Sequence, residues 1–414
     1  MDLLSTFAER ALDRRLRRLR HGRLVVRNGE RLRSYGDPAA RTIEIHITDP
    51  RCYRAIALGG AVGAGESYAE GWWTSSDLTG VVRLLVRNRD VLEGLERGTA
   101  RFVQPVRALW HRLRRNTRRG SRRNIGAHYD LGNEFFSSFL DETLTYSSGV
   151  FERPDATLAQ ASVAKYDRLA EMLQLGPKDR VIEIGTGWGG FAIHAADKYG
   201  CHVTTTTISR EQYALATRRV REAGLSDRIT ILQQDYRDLT GRFDKLVSIE
   251  MIEAVGHEHY ATFFAKCAAL LEPHGRAAIQ AITIQDQYYE SARREVDFIK
   301  RHIFPGSCIP SRTILGAASG RAGLRVDRVD EMGLHYAETL RRWRVNFRAA
   351  RPRLLALGLD DRFQRLWEFY FCYCEGGFLE RAIGTIQLSL AKPGAVDTHV
   401  RRLADVPELE PVAA

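Results

Sequence analysis

The chain has no run of 18 apolar residues, so no segment reads as a membrane-spanning helix. Its opening stretch, MDLLSTFAERALDRRLRRLR, lacks the unbroken apolar core of a signal peptide, because charged residues enter too early. Cysteine is scarce: six among 414 residues, at 52, 201, 267, 308, 372 and 374, with no C-x-x-C pair. That excludes a zinc ribbon or a dithiol redox motif, and a reduced cytoplasmic protein without a metal is expected. Acidic residues are outnumbered, 51 against 62 Lys and Arg, leaving a net charge of +11. Such an excess implies an anionic partner, nucleic acid or a phospholipid surface, and composition leaves both open. The hydrophobic fraction of 44% is ordinary for a globular protein, and the length suits two domains.

Residues 2–20 have an amphipathic pattern. Leu3, Leu4, Phe7, Ala11 and Leu16 can share a helical face, and Arg14, Arg15, Arg17, Arg18 and Arg20 crowd the later half. Such a helix either lies on an anionic membrane or is simply solvated. Residues 22–98 read as part of a small α+β domain spanning 1–98. LVVRNGERLRSYG is a hairpin turning at Asn28-Gly29. RTIEIHI alternates Ile43, Ile45 and Ile47 with polar residues, as a half-buried strand does. A glycine-rich turn, paired tryptophans and an amphipathic helix follow, with no catalytic constellation. Residues 99–124 carry Arg107, Arg112, Arg114, Arg115, Arg118, Arg119, Arg122 and Arg123 and no acidic residue, a basic linker with Trp110 on its apolar side.

From Asn124 the pattern alternates strand and helix. A helix is expected over 158–175. Strands are expected at 181–184, 202–207, 228–232, 244–249 and 276–283, with helices near 190–199, 210–223 and 258–271. Residues 324–329 and 385–391 add two further strands. The expected fold is α/β, a doubly wound, mostly parallel sheet filling a catalytic domain over 125–395, with 396–414 as a tail. Residues 285–310 and 333–380 are insertions or helical cover. They are rich in aromatics (Tyr288, Tyr289, Phe298, Phe304, Tyr336, Trp343, Phe347, Trp367, Phe369, Tyr370 and Phe371), most of them core and some fit to line an apolar cavity.

The organising stretch is 181–190, VIEIGTGWGG. A buried strand runs into Gly185, Gly187, Gly189 and Gly190 and then into a helix, the place where open α/β sheets bind nucleotide-like ligands. The spacing satisfies G-x-G-x-x-G, a weak signal alone. The dinucleotide fingerprint also asks for an acidic residue about 20 positions on. The second strand ends instead in Thr206, Thr207 and Ser209. Glu183 makes the pattern E-x-G-x-G-x-G, which resembles motif I of class I S-adenosylmethionine (SAM) methyltransferases.

Further stretches carry a closer resemblance: HYDLGNEFFSSFLDETLTYSSGVF (128–151), TTISREQ (206–212), QDYRDL (234–239), SIEMIEAVGHEHY (248–260), FIKRHIFPGSCIPS (298–311), LHYAETLRRWRVNF (334–347) and YCEGGF (373–378). Together they resemble the cyclopropane-fatty-acyl-phospholipid synthase family over about 128–391. The resemblance implies a class I methyltransferase fold and a defined reaction. A cis double bond of a phospholipid acyl chain takes the SAM methyl, a carbocation forms in an apolar cavity, a base removes a proton, and a cyclopropane closes. It implies SAM contacts at Tyr146, Ser147, Glu183, Gly185, Gly187, Gly189, Thr207, Gln212, Gln234, Asp235 and Tyr236, with Asp235 accepting from the adenine. It implies bicarbonate as the base, held by Glu253, Tyr336 and the Ile282 backbone. The family cysteine once regarded as catalytic falls on Cys374, where a structural thiol is expected because an alkene needs no enzyme nucleophile. The chain departs from the family at Ser148 and Gln280, where cysteine and histidine are common. Both can still hydrogen-bond an anion, but Gln280 does not titrate.

The partners implied are an unsaturated phospholipid, an anionic membrane surface at the inner face and a second copy of the chain, but no nucleic acid. A methylene-branched product of the tuberculostearic type is a close alternative to the ring. An RNA methyltransferase using the 99–124 arm is a distant one, since no N-P-P-[YF] or paired-cysteine nucleobase site is present.

Overall fold

The computed structural model describes residues 3–89 and 131–395. The basic stretch 99–124 and the tail 396–414 lie outside the described residues. A small unit comes first. Strands β1 (Arg23–Asn28) and β2 (Arg31–Gly36) form the hairpin expected at Asn28-Gly29. Strand β3 (Thr42–Ile47) pairs parallel with β1, and β4 (Trp73–Thr74) closes a sheet of order β2-β1-β3-β4. The glycine-rich stretch is not a turn as expected. It is the helix Arg51–Ala69, broken by non-helical backbone at Gly60. Its glycines serve close packing: a Cβ on Gly65 would come within 2.4 Å of the Phe298 ring.

The helix Leu3–Leu16 forms, but rotated from the expected face. Ser5, Ala8 and Leu12 are buried, whereas Leu4 is 65% and Phe7 71% exposed. Packing against the helix Arg51–Ala69, with Asp13 and Glu9 tied to Tyr35 and Arg33 of β2, selects the buried face, and the apolar residues left over point outward.

The second sheet follows the expected α/β pattern. Its strands are β5 (Arg180–Ile184), β6 (His202–Thr206), β7 (Ile229–Leu232), β8 (Phe243–Ile249), β9 (Leu271–Ile284), β10 (Arg325–Glu331) and β11 (Ile383–Ala391), in the order β10-β11-β9-β8-β5-β6-β7. Pairings among β5 to β9 are parallel, and β11 runs antiparallel between β9 and β10. Alternate residues feed two apolar layers. Val181, Val247 and Ala278 pack with Leu169 and Phe191 on one face. Ile182, Leu246 and Ile279 pack with Phe263 and Leu315 on the other. Helices on both faces explain the continuous apolar runs of these strands.

The segment 333–380 is helical cover, with long helices Gly333–Ala349 and Asp361–Leu379. Phe135, Trp343, Phe347, Trp367 and Phe371 form one aromatic core with residues of the small unit such as Leu24 and Trp73. A Cβ on Gly376 would meet Val82 at 2.6 Å, so the helix Asp361–Leu379 lies directly against Leu78–Arg87. The Thr79 hydroxyl donates to Glu375, and Arg83 and Arg87 pair with Glu380 across the same contact. Among the described residues no helix is long and apolar enough to cross a membrane.

Candidate active site

The glycine turn leaves the carboxyl end of β5. Gly185, Gly187 and Gly189 have φ of 106°, 52° and 87°, a region that glycine enters without penalty. Their uses differ. A Cβ at Gly187 would meet nothing within 4 Å, so this position faces open space. A Cβ at Gly190 would lie 2.4 Å from the Tyr166 hydroxyl, so that glycine permits packing. Gly189 caps the helix Gly190–Tyr199 and is not among the residues lining the cavity.

That open space belongs to a cavity of about 670 Å³. Tyr146, Ser147, Glu183, Gly185 and Gly187 border it on the turn side. Thr207, Gln212, Gln234, Asp235 and Tyr236 border it beyond β6 and β7. Glu183 lies beneath the turn, accepts from the Thr205 hydroxyl at 2.6 Å, and has its pKa pushed up to about 8 by burial. Thr207 donates to the Gln212 amide oxygen at 2.8 Å. The Asp235 carboxylate, expected to face adenine, is held by the Arg237 backbone and guanidinium. The Tyr236 hydroxyl is buried without a partner. Buried carboxylates, a turn open to close backbone approach and an orphaned hydroxyl fit SAM, a cation with hydrogen-bonding ends.

The cavity continues away from the turn between apolar walls. Phe304, Tyr336, Phe369, Tyr370, Tyr373 and Phe378 contribute aromatic faces. The small unit, which shows no catalytic constellation in sequence, supplies wall residues including Leu24, Val26, Ile45 and Tyr53. Cys374 borders the cavity, and burial pushes its thiol pKa well up, so the thiol stays protonated. Trp343, Phe347, Trp367 and Phe371 are core instead.

A polar knot is set into this wall, and its centre is a residue the sequence reading did not single out. Glu250 follows β8 with φ of 49°, a left-handed conformation that costs a non-glycine residue about 1 kcal/mol or more. Its carboxylate accepts from Ser148 N at 2.9 Å, Gln280 Nε2 at 2.7 Å and Tyr336 Oη at 2.7 Å. Gln280 is in turn held by Gln387, at 3.0 Å. The Ser148 hydroxyl turns away to the Gly149 carbonyl. Ile282 N donates to Glu253 Oε1 at 2.5 Å, and Glu253 Oε2 is left without a partner. Burial and the neighbouring Glu250 push the Glu253 pKa up to about 8.

Lys165 was also missed. It is fully buried on the helix Leu158–Leu173, borders the cavity, and donates to Ser147 Oγ at 2.6 Å. Burial pushes its pKa down to about 8, against the pull of Glu250, Asp141 and Glu183. The available signal was a lysine at helical spacing among Ala161, Leu169 and Met172, all buried. Glu250 had a weaker one, an ionisable residue at the carboxyl end of a central strand. Among the described residues no group of three or more His, Cys, Asp or Glu is arranged to hold a metal.

The family model described as mycolic acid cyclopropane synthetase matches residues 116–388. The tuberculostearic acid methyltransferase of Mycobacterium tuberculosis is 40% identical over 367 residues, 86% of this chain and 85% of that protein. The cyclopropane-fatty-acyl-phospholipid synthase of Escherichia coli K12 is 34% identical over 352 residues, 84% of this chain and 88% of that one. Among solved structures, a mycolic acid cyclopropane synthase complexed with S-adenosylhomocysteine (SAH) and CTAB superposes with a TM-score of 0.62 at 30% identity, covering 66% of this chain and 98% of its own.

Proposed function

The chain belongs to the mycolic acid cyclopropane synthetase family, and from that premise we propose that it methylates the double bond of an unsaturated phospholipid acyl chain and leaves a methylene branch. It is a SAM-dependent methyltransferase that acts on lipids. The observation that carries the finer reading is the single cavity joining the glycine turn to an apolar, aromatic-walled space. An acyl chain fits such walls, a polar substrate does not. Likeness to the tuberculostearic acid methyltransferase supports the branched outcome, and likeness to the Escherichia coli synthase supports the ring as a second reading.

On this reading Gly185 and Gly187 admit the cofactor to the backbone, and Glu183, Gln212, Asp235 and Tyr236 hold it. Bound SAM supplies an electrophilic methyl to the π pair, leaving S-adenosylhomocysteine and a carbocation on the neighbouring carbon. The walls exclude water, which would trap that cation. Tyr336, stacked on Phe378 at 4.6 Å between ring centroids, and Tyr370 present aromatic faces that favour positive charge. Incubation with SAM and vesicles of a cis-monounsaturated phospholipid tests the proposal. Acyl chains one CH2 heavier, with vinylidene protons by NMR, are expected. Ring-methylene protons would select the cyclopropane, and unmodified chains with intact SAM would refute both.

The exposed Leu4 and Phe7, on a helix bearing the exposed Arg10 and Arg14, support docking to an anionic membrane. Each arginine near such a surface contributes about 1 kcal/mol, and inserting one large apolar side chain about 1.5–3 kcal/mol. Phe7→Glu is expected to lower binding to anionic vesicles about tenfold or more in sedimentation. Unchanged binding would remove this helix from the interface.

A further inference from the structure

The polar knot holds a carboxylate acceptor of its own, Glu250. The family resemblance implies a bicarbonate held by Tyr336, Glu253, the Ile282 backbone and the groups at Ser148 and Gln280. In the structure Ser148 N, Gln280 Nε2 and Tyr336 Oη all donate to the Glu250 carboxylate, at 2.9, 2.7 and 2.7 Å. Ile282 N donates to Glu253. These four donors are therefore engaged by carboxylates of the chain itself, and the Ser148 hydroxyl is spent on the Gly149 carbonyl. Resting on the proposed alkene methylation, we infer that Glu250 is the built-in base of this enzyme and takes the place of a bound bicarbonate.

Four features support the assignment. Glu250 borders the cavity, whereas Ser148 and Gln280 lie behind it, so the carboxylate is the part of the knot that faces substrate. Its backbone is held at φ of 49°, where glycine would be unstrained, and strain of this kind persists where the surroundings over-determine a residue. Gln280 stays neutral and donates, so it points a partial positive charge at Glu250 without competing for the proton. Burial raises the Glu250 pKa, and Lys165 from the facing helix exerts the attraction that most opposes that rise.

The proton balance is simple. After methyl transfer the intermediate carries one positive charge on carbon. Glu250 takes a proton from the added methyl and becomes a neutral carboxylic acid. The electron pair of that C–H bond becomes the new bond, the third ring side in a cyclopropane. For a methylene branch, a hydride first moves from the methylated carbon to its cationic neighbour, and the same pair then forms the C=CH2 double bond between the chain carbon and the former methyl. The base has the same task for either product.

The test compares wild type, Glu250→Gln and Glu250→Gly, using SAM, monounsaturated vesicles and bicarbonate as the added anion. Wild-type turnover is expected to be equal in carbon-dioxide-stripped and bicarbonate-supplemented buffer. Glu250→Gln is expected to lose about 100-fold or more in kcat, the usual share of a general base, with SAM affinity by calorimetry within a few-fold. Glu250→Gly suits the positive φ and vacates the carboxylate's place. It is expected to be slow in stripped buffer, to regain turnover with bicarbonate, and to bind 13C-bicarbonate by NMR where the wild type does not. Loss of wild-type turnover on stripping bicarbonate, near-normal kcat in Glu250→Gln, or bicarbonate binding by the wild type would each overturn the assignment. Absence of any methylated lipid from the wild type would instead refute the alkene methylation on which it rests.

Discussion

Gly187→Val is expected to abolish SAM binding in a protein that still folds. Gly187 sits at φ of 52°, and a Cβ there meets no protein atom within 4 Å. The new side chain therefore clashes with nothing in the free protein and projects into the cavity beside the turn. A left-handed β-branched residue costs about 1–2 kcal/mol, which a domain with some 5–15 kcal/mol of stability survives. Two methyl groups where the cofactor needs close approach to the backbone cost far more. A loss of at least about 100-fold in affinity, near 2.7 kcal/mol, is expected by calorimetry. Circular dichroism should show native helix content and a melting temperature lowered by a few degrees. A folded variant with wild-type SAM affinity would move the cofactor away from this turn. Gly190→Val makes the contrast, since its side chain would strike Tyr166 and damage the fold rather than the site.

Lys165→Met is expected to cost turnover without costing stability. The lysine is buried, and its pKa is pushed down to about 8, so the fold spends energy to keep it charged at neutral pH. A methionine of similar volume removes that expense, and replacing buried charge with apolar atoms is often neutral or stabilising. The catalytic effect has the opposite sign. Glu250 has its pKa raised by burial, and Lys165 is the first group that opposes the rise. Its other neighbours do not substitute. Tyr336 and Tyr370 have hydroxyl pKa values pushed far up by burial and stay neutral. Glu253, pushed up to about 8, is neutral below that pH and repels Glu250 above it. Without Lys165 the Glu250 pKa climbs further, a larger fraction is protonated at neutral pH, and less base is available. The acid limb of the pH–rate profile should move to higher pH, with kcat down about tenfold or more at neutral pH, a shift of at least one pKa unit. Raising the pH should recover part of the loss, and the melting temperature should not fall. An unmoved acid limb would show that Lys165 does not hold the charge of the base.

Much of the fold was legible because its signals are local. The strands of the second sheet are short apolar runs between helical periods, and burial on both faces leaves little ambiguity of type. The hairpin was legible in Asn28-Gly29, which favours the tight turn. The helix Arg51–Ala69 was not, because its glycines weaken helix propensity and their purpose lies in Phe298, more than two hundred residues away. The face of the helix Leu3–Leu16 was misjudged for a related reason. Several faces are apolar enough, and the helix Arg51–Ala69 packed beside it selects one of them.

The linear order of residues pointed to the cofactor class, the sheet and the family, because the glycine turn with Glu183 before it, the second strand ending without an acidic residue and the further matching blocks are each continuous stretches. It also named most of the groups around the cavity. What it left undecided is which of them face one another. Ser148, Glu250, Gln280 and Tyr336 come from four separate segments, and hydrogen-bond geometry alone shows that three of them converge on the fourth. The acidic side chain that the sequence placed at the centre, Glu253, is tied to Ile282, while its neighbour Glu250 takes the donors. Charge state is likewise a tertiary property. The carboxylate and the ammonium of Glu250 and Lys165 depend on burial and on each other, and neither quantity exists until helix and strand are packed together.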